Sequence, residues 1–134
     1  MANTTFSGPV RSENGFEQVS KNATTGVFTT SATYGASITG GVQSLSGAGA
    51  VDLTNLITEV TTTGADALTL ADGTTSGQVK IVNMIVDGGD GTLTPVTFAN
   101  GTTITFDAVA ESVTLVWNST IGWVATSVQG ATIA

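Results

Sequence analysis

Threonine fills about one position in five of this sequence, and together with Val, Ile and Gly it makes up nearly half of the chain. Side chains branched at Cβ lose rotamer freedom on a helix and pack well on a pleated surface. Glycine supplies the tight turns between such strands. No stretch shows the 3.6-residue apolar period of an amphipathic helix. A chain of this kind folds as strands joined by turns. It also has no His and no Cys, and Lys80 is the one cation after residue 50. Catalysis usually draws on a titratable base, a nucleophile or a metal ligand. With almost none available, a structural or adhesive module is expected rather than an enzyme, with no catalytic residue, no cofactor and no metal.

The second part of the chain carries the densest strand pattern. Candidate strands are Leu56–Thr61, Ala67–Leu70, Gln78–Val86, Thr92–Phe98, Thr103–Phe106, Ser112–Asn118 and Trp123–Val128. Turn clusters separate them, among them Ala71-Asp72-Gly73, Asp87-Gly88-Gly89-Asp90-Gly91 and Asn100-Gly101. Turns every eight to twelve residues are the spacing of a sandwich or barrel. The expected fold is therefore all-β, an antiparallel, jelly-roll-like β-sandwich over residues 51–134. The segment QVKIVNMIV is apolar on both faces apart from Lys80 and Asn83, which fits a central strand or one covered by a neighbouring subunit. At Asn100-Gly101 an odd-length loop would pair Phe98 with Ile104 and Val96 with Phe106, keeping one face apolar. In the last hairpin Val113, Leu115 and Trp117 share a face, and Trp117 stands opposite either Trp123 or Val124. These four residues, Val113, Leu115, Trp117 and Trp123, are the expected core hairpin.

Residues 1–50 differ. Large apolar residues are sparse there, and GASITGGVQSLSGAGA over residues 35–50 is nearly low-complexity. An extended Gly/Ser/Thr-rich N-terminal arm with a few apolar anchors is the simplest description, the other possibility being edge strands of the same domain. Charge divides the same way. Arg11 and Lys21 balance Glu13 and Glu17, so the whole net charge of −7 belongs to residues 51–134. An acidic surface repels phosphate backbones, so nucleic acid is not an expected partner. No run is apolar for long enough to span a membrane as a helix, and the start lacks the basic and apolar regions of a signal peptide.

Few constellations could carry chemistry. Asp87 and Asp90 could hold calcium, but their spacing is not that of an EF-hand, and turn chemistry explains them. Asp107 and Glu111, the carboxylate pair weighed for glycoside hydrolysis, lie near a strand end in a connecting loop without an aromatic platform nearby in sequence. Lys80, in the most apolar strand, is read as reaching the domain edge or pairing with an acid. Trp117 and Trp123 on adjacent strands could stack on a sugar, though such pairs more often fill a core. The best candidate for a partner contact is Phe6, Pro9, Val10, Arg11 and Phe16: two aromatic anchors, a proline that extends the preceding Gly8, and a guanidinium fork for a carboxylate.

The opening MANTTFSGPVRSENGF, then DALTLADGTTSGQVKIV, DGGDGTLTPVTFANGTTITFDAVAESVTLVW and the GW hairpin resemble small virion structural proteins of tailed bacteriophages infecting marine bacteria. The resemblance implies a capsid decoration (cement) protein or a head-fibre-like appendage, assembled in the host cytoplasm and carried on the capsid exterior, with the major capsid protein as partner. It implies no catalytic motif. Such decoration proteins commonly form trimers, so the resemblance implies a homotrimer, and the low charge and absent disulfides point independently to surface buried between copies. The alternative is a head or tail fibre, or a receptor- or carbohydrate-binding module of the virion.

Overall fold

A computed structural model describes residues 16–21, 24–26, 28–34 and 41–134. The chain forms two units, one within residues 1–39 and one from Gly40 to Ala134.

In the first unit β1 (Phe16–Lys21) and β2 (Phe28–Tyr34) pair antiparallel, with Phe16 opposite Tyr34 and Lys21 opposite Phe28. A bulge falls between Gln18 and Val19. The turn between the strands contains Thr24 and Thr25 and ends on Gly26, whose φ of 71° is a conformation that glycine adopts at no steric cost. The expected arm thus contains a hairpin.

The second unit is all-β. Its strands are β3 (Val42–Ser46), β4 (Gly49–Val51), β5 (Ile57–Thr61), β6 (Asp66–Leu70), β7 (Val79–Val86), β8 (Gly91–Pro95), β9 (Ile104–Phe106), β10 (Ser112–Asn118), β11 (Gly122–Gln129) and β12 (Thr132–Ile133). They form two five-stranded sheets, ordered β11-β10-β7-β5-β3 and β12-β9-β8-β6-β4, here called the first and second sheet. Inward side chains from both build one core, including Val60, Leu68, Leu70, Val82, Leu93, Ile104, Phe106 and Leu115.

The sandwich is as expected, but its strand directions are mixed. From β3 to β8 the chain changes sheet at every step, and β3, β5 and β7 run parallel in one sheet while β4, β6 and β8 run parallel in the other. The chain therefore winds as a coil of three stacked two-strand rungs. Backbone bonds join successive corners: Gly47 N–H donates to Thr61 O at 2.9 Å, Thr62 N–H to Val86 O at 3.1 Å, and Asp66 N–H to Asp90 O at 2.9 Å. At the other end Ile81 N–H donates to Leu56 O, and the Gln78 carboxamide to Leu53 O, each at 2.9 Å. Antiparallel pairing begins only after the third rung, with β9 on β8, β10 on β7, the β10–β11 hairpin and β12 on β9. Alternation of apolar residues fixes which face of a strand is buried, but carries no information on strand direction.

The expected boundary at residue 50 is corrected. β3 and β4 belong to the sandwich, which starts about ten residues earlier. Ser, Gly and Ala make this stretch look low-complexity, yet Leu45 and Val51 pack into the core. The Gln43 carboxamide oxygen accepts from Thr58 Oγ1 at 2.8 Å and from Asp52 N–H at 2.9 Å, tying the first rung to the second.

The expected pairing of Phe98 with Ile104 and Val96 with Phe106 is also corrected. Leu93 stands opposite Ile104 and Gly91 opposite Phe106. β8 ends at Pro95, which has no N–H to continue a ladder. Val96 lies outside the strands and is 73% exposed. Phe98 instead bridges to Trp123, flanked by Trp123 N–H donating to Thr97 O and Ala99 N–H to Trp123 O, both at 2.9 Å.

Candidate functional site

The last hairpin resolves the alternatives left by its sequence. Trp117 stands directly opposite Trp123 and Asn118 opposite Gly122, with a bulge at Thr114/Leu115. Gly122 sits at φ 91°, against the Thr97 backbone, where a side chain would be strained and obstructed. Asn118 Oδ1 accepts from Thr120 N–H at 2.9 Å, closing the turn. The two indoles meet with ring centroids 5.4 Å apart and planes tilted by 60°. Both are interior, Trp123 fully and Trp117 with 7% exposure. Trp123 Nε1–H donates to Ala71 O at 2.9 Å, and Gly73 lies so close over Trp117 that a Cβ there would overlap the ring. Val113 and Leu115 are buried beside them. This geometry leaves no exposed indole face for a sugar.

The acidic and basic groups serve the fold. Lys80 Nζ donates to Asn55 O at 2.9 Å and lies 3.6 Å from Asp52 Oδ1. Asp52 Oδ1 also accepts from the N–H groups of Thr54 and Asn55, and Oδ2 from the Asn55 carboxamide. Lys80 is 1% exposed, so the sequence expectation of an acid partner is met inside the protein. Burial pulls the Lys80 ammonium below its ordinary range, opposed by Asp52. Burial pushes Asp52 up, but the Asn55 bonds, the Lys80 charge and the Thr54 N–H together hold its carboxyl below its ordinary value.

These shifts have opposite consequences for stability. Asp52 stabilises the fold above the unfolded carboxylate range, and that contribution is lost as pH falls through its folded value. Lys80 binds its proton less tightly folded than unfolded, so stability rises as pH climbs from the folded toward the unfolded lysine range. The expected result is a urea midpoint that increases in the parent as pH climbs toward the unfolded lysine value of 10.5, with Lys80→Met removing most of that increase. At pH 7 Lys80→Met is expected to cost about 1–3 kcal/mol, because it leaves the Asn55 carbonyl without its donor and Asp52 without its cation. A parent midpoint that is flat over this range would contradict the assignment.

Three other carboxylates cap turns. Asp87 Oδ1 accepts from Gly89 N–H at 2.9 Å, Asp66 Oδ2 from Thr63 N–H at 2.8 Å, and Glu111 Oε2 from Asp107 N–H at 2.7 Å. Among the described residues no three His, Cys, Asp or Glu side chains gather where they could hold a metal ion. Threonine fills polar gaps: Thr62 Oγ1 accepts from Gly88 N–H at 2.9 Å and donates to Val86 O. Every buried side-chain polar atom described has a partner. Of the expected partner-contact residues, Phe6, Pro9, Val10 and Arg11 lie outside the described residues. Phe16 opens β1.

The surface, rather than a cleft, holds what the sequence reading left unplaced. On the outer face of the first sheet, Val42, Ile57 and Ile81 line up across β3, β5 and β7, and Val79, Val116 and Val124 line up across β7, β10 and β11. The signal was the two-sided apolar segment QVKIVNMIV, whose inward residues Val82 and Met84 are core while Val79 and Ile81 face out. No protein-family model matches this chain, and no curated protein is similar to it.

Proposed function

We propose that this chain is a decoration (cement) protein of a tailed-phage capsid. It binds the outer capsid lattice as a homotrimer, with the major capsid protein as its partner on the virion exterior. The observation that carries this reading is that every buried polar side chain described has a partner within the fold. Carboxylates cap turns, the buried lysine is paired, and no buried polar side chain is left unsatisfied. Such a molecule offers shaped surface rather than reactive groups. The resemblance of MANTTFSGPVRSENGF and the later segments to small virion proteins supports the same reading. The acidic balance disfavours nucleic acid as a partner. Among the described residues no helix is long and apolar enough to cross a membrane.

The lattice contact is assigned to Phe6, Val10, Arg11 and Phe16. Ordering a free segment costs about 1–2 kcal/mol per backbone residue, and each buried Phe returns about 2–3 kcal/mol. Strand-like backbone pairing with the partner is therefore needed as well. Many copies on one lattice stabilise the particle without tight single-site affinity. The test is to mix undecorated particles with the full chain and with a chain lacking residues 2–15, which keeps β1. The full chain is expected to saturate the particles, and the shortened one to bind at least about tenfold more weakly. Equal binding would overturn the assignment. A fibre role is a separate reading, distinguished by copy number. A sugar platform on Trp117 and Trp123 has no exposed ring to use.

A further inference from the structure

The two outer faces of the sandwich differ in a way the core does not require. On the second sheet Ala50, Ala67, Thr69, Thr92, Thr94 and Thr105 face out, a set of hydroxyls and methyls suited to water. On the first sheet the outward residues Val42, Ile57, Val79, Ile81, Val116 and Val124 form one apolar band across all five strands. Val42 is 51% exposed and Val79 38%, and the other four are half-buried. We infer that this band is the surface through which copies of this chain meet. The inference rests on the homo-oligomer in the reading above and gives that oligomer its contact face.

Charge selects the occupant. The sandwich carries eight acids against Lys80, and Lys80 is buried. Asp52, Asp66, Asp72, Asp87, Asp90, Asp107 and Glu111 stand at corners or in loops, which is where a basic partner would be drawn. Only Glu59 lies on the outer face of the first sheet, in the row Ser44, Glu59, Asn83, Ser112 and Gln129 that borders the band. Two acidic bodies approach most closely where their charge is absent, and the band is such a place. The amides of Asn83 and Gln129 give Glu59 of a neighbouring copy donors at the rim.

Size sets the strength. Five strands at about 4.8 Å and five residues at about 3.3 Å give a face of roughly 400 Å². A standard stable interface takes about 800 Å² from each partner. Association through this face is therefore weak in dilute solution and rises with concentration, as it does when copies are gathered on a lattice.

The experiment is sedimentation equilibrium of the full chain from about 5 to about 500 µM, a range that brackets a weak contact. Three variants accompany it: Val79→Thr/Ile81→Thr, Val42→Lys, and Thr94→Lys on the opposite sheet. The parent is expected to associate with rising concentration. Both first-sheet variants should raise its dissociation constant at least tenfold, with unchanged far-ultraviolet dichroism, and Thr94→Lys should match the parent. A parent that stays monomeric throughout would overturn the inference, as would first-sheet variants that associate like the parent. Val42 is at an exposed edge, so the Val42→Lys result stands even if the double variant misfolds. Association through another surface would remove this face and leave the oligomer standing. Particles left undecorated by a chain that does associate through this face would remove the decoration reading instead.

Discussion

Replacing Trp123 with Ala is expected to lower the unfolding free energy by about 3–5 kcal/mol. For a domain whose total stability is about 5–15 kcal/mol, that is a large fraction. Trp123 is fully buried, and it connects three parts of the fold. Its ring meets Trp117, its Nε1–H reaches Ala71 O after β6, and its backbone exchanges bonds with Thr97 and Ala99 after β8. Truncation leaves a cavity and also strands the Ala71 carbonyl. Trp123→Phe keeps most of the volume and should cost less than half as much. Urea unfolding followed by Trp117 fluorescence measures both. Equal, small losses for the two variants would mean that the indole is not the anchor described.

A second large effect concerns where the sandwich begins. A chain starting at residue 40 is expected to unfold at nearly the same urea concentration as the full protein, since residues 1–39 form a unit of their own. A chain starting at residue 52 loses β3 and β4, and with them Leu45 and Val51 from the core and the Gln43 bonds to Thr58 and Asp52. Two aliphatic side chains account for about 3–6 kcal/mol of burial. The parallel edges of β5 and β6 would be opened as well. That chain should lose amide dispersion in its proton–nitrogen spectrum or unfold in much less urea. A chain starting at residue 52 that is as stable as the parent would contradict the placement of the first rung.

The sequence signals that proved legible are those tied to local sterics. Strand positions such as Ser112–Asn118 and Ala67–Leu70 followed from two-residue alternation between glycine turns, and the inward set of Val113, Leu115 and Trp117 from the same alternation. Direction was not legible. β5 and β7 read alike whether they run parallel or not, because what makes them parallel is a chain that leaves the sheet at Thr61 and returns through Gln78. Val42–Val51 was hidden by composition: its small residues suit a linker, while two apolar side chains and one glutamine suffice to dock it. Phe98 was drawn into a strand by its hydrophobicity, when Pro95 had already ended the ladder. For the candidate surface, the two-sided apolarity of β7 was visible, but its union with Val42, Val116 and Val124 depends on register across four other strands.

The reading as a decoration protein is tested most directly by the ratio of this chain to the major capsid protein in purified virions, measured by quantitative mass spectrometry. The account predicts hundreds of copies per particle, placed on the outer lattice. A few copies, a few dozen, or none would contradict it.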